Sequence, residues 1–362
     1  MKENISEEKI IEYEPRLKYF PIPLFAITMG LTGLAIAFEK ASQILHIPSG
    51  IGIFLSYISL GIFFLLLFLY FLKLIKYPEE VKKEWNHVIR MNFFPAISIS
   101  MLLLSIAFFH INPSLSKVFW YIAAPLHLFF TLRVIKFWIE NNIQINHSNP
   151  AWFIPIVGNV IVPIMGVKYG GVTLSQFYFS LGIFFWVVLF TIVIYRIIFH
   201  HQLPSKFIPT LFIFIAPPAV GFISYVKIKE AIFKLLPQSP NFLASLTLDF
   251  FAHFLYDVAF FFIVMLVFMI KLFTKVPYSI TWWAYTFPLD AFTIATLVNY
   301  HLNKVAESKG LIKSELIFGV LKTSNFFYIL SWISLTITTI VIFVVAYKTI
   351  KAILNRKICV PE

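Results

Sequence analysis

The sequence predicts an all-α integral membrane protein, and three observations support that fold class. Hydrophobic residues make up 59% of the 362 residues and charged residues only 13%, whereas a soluble globular domain has about 45–50% apolar residues. Ten stretches are long and apolar enough to cross the hydrocarbon core, which takes about 20 residues of α-helix. The connections between these stretches are short, so consecutive spans are expected to pair as five antiparallel helical hairpins.

The ten predicted spans are bounded by clusters of charged residues, proline and glycine. They cover residues 19–40, 51–74, 91–110, 117–139, 151–167, 174–199, 207–226, 243–273, 278–302 and 323–349. Residues 19–349 therefore form one predicted transmembrane channel domain, between tails of residues 1–18 and 350–362. The N-terminal tail is charged and has no cleavable signal pattern, so we expect the first span to remain in the mature protein.

The distribution of lysine and arginine predicts the orientation of the chain. The side of the membrane that holds both tails has 19 of these residues, and the opposite side has 10. Because cytoplasmic loops carry an excess of Lys and Arg, both termini are predicted to be cytoplasmic in a multi-pass protein of the cell (inner) membrane. The same rule accounts for the net charge of +12, so no nucleic-acid partner is expected.

Prolines concentrate in the odd-numbered spans, and only Pro125 interrupts an even-numbered one. The prolines of the odd-numbered spans are Pro23, Pro95, Pro155, Pro163, Pro209, Pro217, Pro218 and Pro288. Proline inside a helix frees a carbonyl and bends the axis, which a membrane tolerates where the backbone is buried or lines a water-filled cavity. We therefore expect five kinked inner helices around a central pore, in a quasi-fivefold arrangement, with the even-numbered helices outside. The alternative is a chance scatter, because proline is common in membrane helices.

Four short motifs occur in order on the odd-numbered spans. They are Arg90-Met-Asn-Phe-Phe, Asn149-Pro-Ala-Trp-Phe-Ile-Pro155 with Gly158-Asn159, Ile215-Ala-Pro-Pro218, and Trp282-Trp-Ala-Tyr-Thr-Phe-Pro288. Together they resemble the tellurite-resistance/dicarboxylate transporter family, which includes bacterial TehA proteins and the plant guard-cell slow anion channels. The resemblance covers essentially all ten spans in order. It implies a channel for small inorganic anions, assembled in membrane lipid as a homotrimer in which each protomer has its own pore.

The resemblance also implies where that pore is gated. The phenylalanine that blocks the pore in the family matches Phe287 by motif position. The inner-helix prolines match Pro23, Pro155, Pro217 and Pro288. In the third span the chain departs from the TehA pattern, because the family's proline would fall at Ser98, whereas Pro95 lies one turn earlier.

Residue chemistry leaves a second function open. The odd-numbered spans have almost no carboxylates, so no acidic ring exists to select cations, and kinked helices offer dipoles to an anion. The alternative is a secondary transporter or exporter of dicarboxylate, sulfite or tellurite-type oxyanions. A carrier is expected to contain an inverted repeat, and five similar hairpins favour the channel.

An enzyme is not expected. The chain has no HExxH, GxSxG or Walker A motif. Its single cysteine, Cys359, excludes an intrachain disulfide and a CxxC motif. No cofactor and no metal are predicted.

Two acidic features remain. Asp290 follows Phe287 by three residues, about 60° around the helix, so both are expected to face broadly the same side. A carboxylate there would repel an anion, so Asp290 is predicted to be a pH-sensitive residue beside the gate, or else to pack the bundle.

Asp249, His253 and Asp257 recur every fourth residue in the eighth span. This stripe either packs against a neighbouring helix or protomer or contributes ligands to a metal.

Overall fold

The computed structural model describes residues 16–235, 247–312, 316–317 and 320–360. Within these residues the chain is almost entirely helical, and nine helices are long and apolar enough to cross a membrane. Residues 1–15 and 361–362 of the predicted tails, and residues 243–246 of the predicted eighth span, lie outside the described residues. The all-α prediction misses one small feature, the antiparallel pairing of strands Leu316–Ile317 and Leu321–Lys322 before the tenth span.

The even-numbered spans are continuous α-helices. Their bounds are Gly50–Lys76, Pro113–Glu140, Val172–Phe199, Phe250–Phe268 and Thr323–Leu354. Short helices Pro78–Trp85 and Ile270–Phe273 follow the second and eighth spans. The eighth span begins later than predicted because the Asp249 carboxylate caps it, accepting a hydrogen bond from the backbone N–H of Ala252.

The odd-numbered spans all begin as a 3₁₀-helix and continue as an α-helix. The paired segments are Ile22–Leu24 with Phe25–Leu45, Arg90–Phe93 with Pro95–Ala107, Pro150–Phe153 with Ile154–Tyr169, Ser205–Ile215 with Ala216–Leu235, and Ile280–Tyr285 with Thr286–Ser308. Pro95, Pro155, Pro217 and Pro288 stand in the first turn of the α-helical part, where a missing N–H breaks no helical hydrogen bond. A bend of the helix axis at these positions stays a prediction.

The odd-numbered spans are the inner helices. Four of them have 67% or more of their most apolar segment buried, whereas the even-numbered spans have 44% or less. Each odd-numbered span packs against the even-numbered span that follows it. The odd-numbered spans also contact one another in sequence, first to third, third to fifth, fifth to seventh and seventh to ninth, and the ninth contacts the first.

The ninth span is not among the nine apolar helices. Its α-helical part contains polar residues such as Asp290, Asn299 and Asn303, all of which are buried. Neighbouring helices, both inner and outer, pack around this span, so the helix does not need an apolar surface of its own. A tenth membrane crossing therefore stays a prediction.

A buried ion pair holds the chain at the entrance to the first span. Lys73 Nζ lies 3.0 Å from Glu84 Oε2, and the two side chains are 2% and 5% exposed. Lys73 also donates a hydrogen bond to the carbonyl oxygen of Phe20 (2.8 Å), and the Tyr70 hydroxyl donates to Glu84 (2.7 Å). The pair thus joins the second span, the short helix Pro78–Trp85 and the residues that precede the first span.

Candidate functional site

Two cavities lie inside the ring of inner helices. The larger, of about 450 Å³, is lined by all five odd-numbered spans, mostly by residues that follow those lining the smaller cavity, such as Ile36, Ile164 and Ile294. The smaller, of about 60 Å³, is lined by the N-terminal parts of the same spans, through residues such as Pro23, Phe93 and Thr210. Among the described residues, neither cavity has a lining residue from an even-numbered span.

Phe287 lies at the boundary between the two cavities. It lines both of them, as does Ile161 of the fifth span. The ring is half-buried, whereas Pro288 and Leu289, the next two residues, are buried. Phe287 is therefore an aromatic side chain at the boundary between the cavities, in the position where the family motif predicts a gate.

The backbone that carries Phe287 is anchored on two sides. Trp283, in the 3₁₀ segment, donates its indole N–H to Thr349 of the tenth span (2.9 Å). Thr286 donates its hydroxyl to the Trp283 carbonyl oxygen (2.8 Å). It also faces Gly30 of the first span, where a Cβ would lie 2.1 Å from Thr286 Oγ1. The helix start that positions Phe287 is thus held between the first and tenth spans.

Asp290 faces the first span. The residue is fully buried, and a Cβ on Gly33 would lie 2.5 Å from its Oδ2 atom. Neither carboxyl oxygen has a hydrogen-bond partner among the described residues. Asp290 is not among the residues that line the two cavities. The rotation of about 60° between Phe287 and Asp290 therefore directs one side chain to the cavities and the other to a neighbouring helix.

Of the four matched prolines, two line a cavity. Pro23 and Pro288 line the smaller one, whereas Pro155 and Pro217 are buried and line neither. All four lie at or beside the change from 3₁₀-helix to α-helix. Their common structural feature is this position in the helix.

The open end of the larger cavity carries most of its charge. The charged side chains of this rim come from the first, fifth and seventh spans and comprise Lys40, Lys168, Lys227, Lys234, Glu39 and Glu230. Lys227 forms an ion pair with Glu230 (3.0 Å). The lysines lie towards the C-terminal ends of inner helices, where positive charge offsets the negative end of the helix dipole. Sequence reasoning placed lysines at span ends but had no means of grouping these six residues.

His110, in the turn after the third span, also lines the rim. Burial and the nearby charges of Lys40 and Lys168 lower the pKa of its imidazole. Near neutral pH, His110 therefore carries less positive charge than a free histidine. The lysines therefore supply the positive charge of the rim.

The polar stripe of the eighth span is divided between two roles. The Asp249 carboxylate caps the helix and accepts hydrogen bonds from Tyr225 (2.7 Å) and Lys229 (2.9 Å). These contacts outweigh the effect of burial and lower the pKa of Asp249. His253 and Asp257 lie on the exposed face of the helix. Across the described part of the chain, no group of three His, Cys, Asp or Glu side chains is placed to hold a metal, so the metal alternative has no structural support.

One buried polar contact is absent from the sequence predictions. His127 of the fourth span is fully buried, and its Nδ1 atom lies 2.9 Å from Ser98 Oγ of the third span. The ring fills the space beside Gly158, where a Cβ would lie 2.1 Å from His127 Cε1. Thr131, one turn later, donates to the Pro155 carbonyl oxygen (2.7 Å). The sequence feature that could have predicted this contact is the spacing of His127 and Thr131, one helical turn apart within an apolar span.

Comparison with known proteins identifies the family. The family model SLAC1, described as voltage-dependent anion channel, matches residues 19–350. The chain belongs to the SLAC1 family. The resemblance to TehA proteins and plant slow anion channels is thereby confirmed.

The relatives of this SLAC1-family chain are named as channels, transporters or resistance proteins. An uncharacterised transporter of Methanocaldococcus jannaschii is 30% identical over 79% of this chain and 86% of the relative. The guard cell S-type anion channel SLAC1 of Arabidopsis thaliana is 30% identical over 79% of this chain but only 50% of the relative. The tellurite resistance protein TehA homologue of Haemophilus influenzae is 24% identical over 79% of this chain and 84% of the relative.

Proposed function

We propose that this SLAC1-family protein is an anion channel in which each protomer conducts small monovalent anions along the axis of the five inner helices. Phe287 is its gate. The observation that carries the proposal is that Phe287 stands between two cavities, both lined by the same five helices. A ring in a narrow apolar passage blocks water and ions until it changes rotamer or its helix moves.

Anion preference follows from the direction of the inner helices. All five have their N-terminal ends around the smaller cavity, which is lined by residues at or next to the start of each α-helical part: Ala26, Ala96, Ile154, Ala216 and Phe287. Each helix N-terminus carries about half a positive charge. The described lining of this cavity contains no carboxylate, so an anion meets favourable dipoles without opposing charge.

The dimensions of the smaller cavity favour small anions. Its volume is about 60 Å³, and a cavity of about 10–15 Å³ on this measure accommodates one water. An ion with a few waters fits there, whereas a large hydrated oxyanion does not.

Secondary transport of dicarboxylates or other oxyanions is the second candidate. The larger cavity favours it, because about 450 Å³ with a lysine-rich rim accommodates an organic anion. The deciding experiment measures reversal potentials of the purified protein in planar bilayers under a chloride or nitrate gradient. A reversal potential that follows the anion gradient supports the channel, whereas saturable, proton-coupled uptake without current supports the transporter.

The proposed assembly has ten spans per protomer, both termini in the cytoplasm and the rim of the larger cavity outside. Large apolar side chains on the even-numbered spans, such as Phe54, Phe68 and Phe343, are exposed. These surfaces face lipid or another protomer.

We expect a homotrimer in detergent, with protomer contacts through the even-numbered spans. Light scattering corrected for bound detergent is expected to give three times the protomer mass of 42.0 kDa. A monodisperse monomer or dimer would contradict this assembly.

We propose that Asp290 acts in helix packing and is uncharged. Among the described residues, an ionised carboxylate against Gly33 would be buried without an ion-pair partner or a hydrogen bond, which costs several kcal/mol. Asp290→Asn then replaces one neutral group with another. In a Phe287→Ala background, we expect this substitution to leave the pH profile of anion flux unchanged between about pH 5 and 8, the range that buried carboxyl groups reach. Loss of a pH response in the Asn variant would instead assign Asp290 to pH sensing beside the gate.

A further inference from the structure

One position in the wall of the smaller cavity has no side chain of its own. Gly158 of the fifth span lines this cavity, together with Ile99 of the third span. The ring of His127, from the fourth span, occupies the place of the missing side chain, because a Cβ on Gly158 would overlap its Cε1 and Nε2 atoms. The same Cβ would lie 2.8 Å from Ile99 Cγ1. An outer helix therefore inserts a ring between two inner helices at the level of the smaller cavity.

Hydrogen bonds fix the fourth span to both of these inner helices. On the side of the third span, His127 Nδ1 lies 2.9 Å from Oγ of the buried Ser98. On the side of the fifth span, Thr131 donates a hydrogen bond to the Pro155 carbonyl oxygen (2.7 Å). The Thr131 hydroxyl also accepts a hydrogen bond from Asn159 (2.9 Å). The ring of His127 is thus held in the seam between the third and fifth spans.

The volume of the His127 ring, more than its polarity, accounts for this position. The residue is fully buried, and its Nε2 atom has no hydrogen-bond partner among the described residues. The contact with Ser98 orients the ring, and the rest of the ring fills space. Because protein interiors are close-packed, a change in the volume of such a side chain is felt by the helices that contact it.

The width of the smaller cavity depends on the spacing of the third and fifth spans. The five inner helices contact one another around a closed ring, so the separation of two neighbours contributes directly to its circumference. The cavity has a volume of only about 60 Å³. A small change in the circumference therefore changes which anions fit.

We propose that His127 is a positioning residue whose ring separates the third and fifth spans and thereby sets the largest anion that passes the smaller cavity. This inference rests on the proposed channel function, because a size limit is measured on permeating ions, but the separation of the helices does not require conduction. Removal of the ring lets the two helices approach and narrows the cavity. A Cβ on Gly158 forces them apart and widens it, because the hydrogen bond to Ser98 keeps the ring in place.

The test uses the Phe287→Ala protein in planar bilayers, where reversal potentials give the permeability of nitrate, perchlorate and methanesulfonate relative to chloride. We expect His127→Ala to lower the relative permeability of methanesulfonate, the largest of these anions, about tenfold, a change of about 1.4 kcal/mol in its barrier. Gly158→Ala is expected to raise it. When both substitutions are combined, the added methyl group takes part of the space that the ring vacates, so the ratio should return towards that of the Phe287→Ala parent.

Two controls separate the volume of the ring from its polarity and from a general loss of stability. His127→Phe keeps a ring of similar size without the hydrogen bond to Ser98, so the permeability ratios should remain those of the parent. Phe130→Ala removes a ring from the same helix, where Phe130 packs against Trp85 and lines neither cavity. This variant should lower stability, as large-to-small substitutions do, without changing the ratios.

Several outcomes would overturn the inference. One is a methanesulfonate ratio that stays the same or rises in His127→Ala. Another is a change in His127→Phe as large as that in His127→Ala, because the polar atoms of the ring would then matter and its volume would not. If Gly158→Ala does not fold, these two variants of His127 still decide the question.

Failure of the channel gives a different result from failure of the spacer. If the Phe287→Ala protein carries no anion current at all, the proposed function fails, and cross-linking then decides on the spacer. Cysteines at Ala96 of the third span and Ile154 of the fifth, which both line the smaller cavity, are joined with thiol reagents of graded length in a Cys359→Ser background. A shorter reagent should suffice after His127→Ala, and an unchanged optimum length would overturn the inference.

Discussion

Replacing Phe287 with alanine is expected to give a constitutively conducting protein, with anion current at least about tenfold above wild type at equal amounts of reconstituted protein. The ring lies between the two inner cavities and lines both, so its removal joins them into one passage. A tenfold increase requires the barrier to fall by only about 1.4 kcal/mol. Removing an aromatic ring from a narrow apolar constriction is expected to lower the barrier at least that far. The measurement is macroscopic current in planar bilayers or anion efflux from liposomes.

Phe292→Ala provides the matched control for Phe287→Ala. Phe292 lies on the same helix and is buried, but its ring stacks on Tyr256 and Phe260 of the eighth span. Its removal leaves a cavity that is separate from the passage and is expected to cost about 3–5 kcal/mol of stability. Current in folded Phe287→Ala protein no larger than wild type, or an equal increase in both variants, would contradict the assignment of the gate.

Replacing Glu84 with glutamine is expected to lower the free energy of unfolding by about 3–5 kcal/mol, because it leaves the buried Lys73 ammonium without its counter-charge. Lys73 and Glu84 are almost completely buried and 3.0 Å apart. Loss of the pair should also loosen the residues before the first span, since Lys73 holds the Phe20 carbonyl oxygen. Equilibrium unfolding in mixed micelles, followed by tryptophan fluorescence, measures the change.

The short helix Pro78–Trp85 contains its own control for this prediction. Glu80 pairs with Lys83 at 2.8 Å, on the surface, and hydrogen bonding to Lys83 lowers the pKa of Glu80. Glu80→Gln is expected to cost at most about 1 kcal/mol, as exposed ion pairs do. The double substitution Lys73→Met with Glu84→Leu should recover most of the stability lost in Glu84→Gln, because it removes both buried charges. If Glu84→Gln and Glu80→Gln lower the free energy of unfolding by the same small amount, the buried pair does not stabilise the protein more than the exposed one.

The sequence predicted those features of the fold that depend on nearby residues or on regular spacing along the chain. Apolar length predicted four of the five even-numbered helices to within about five residues, but the eighth helix is shorter than predicted at both ends. The proline distribution distinguished the more buried odd-numbered spans from the even-numbered ones. The motif that ends in Phe287 and Pro288 marked the phenylalanine that, among the described residues, lines both cavities. Hydropathy predicted a span less well where contacts with other helices determine whether its side chains are buried. Hydropathy does not identify the ninth span as a spanning helix, although its polar residues are buried among neighbouring helices.

Other features depended on contacts between distant parts of the chain. The sequence left Asp290 either beside the gate or packed in the bundle, because about 60° of rotation from Phe287 suffices to face a neighbouring helix. Its contact with Gly33 of the first span is not visible in the sequence. The pairing of Lys73 with Glu84 and the grouping of Lys40 with Lys227 likewise require a three-dimensional arrangement. Charge at the end of a span predicts the orientation of the protein in the membrane, but it does not identify the residue that a charged side chain contacts.

The contact between the first and ninth spans constrains the order in which the protein can fold. Four of the five contacts around the ring join one odd-numbered span to the next odd-numbered span. The fifth joins the first and ninth spans, where Gly30 meets Thr286 and Gly33 meets Asp290. Loop-closure entropy makes such a long-range contact late, and during synthesis it cannot form before the ninth span has been inserted. Until then we expect the inner helices of the nascent protein to form an open arc, with the axis accessible to lipid from one side. Closure of the ring therefore completes both the tertiary structure and the isolation of the axis from the bilayer.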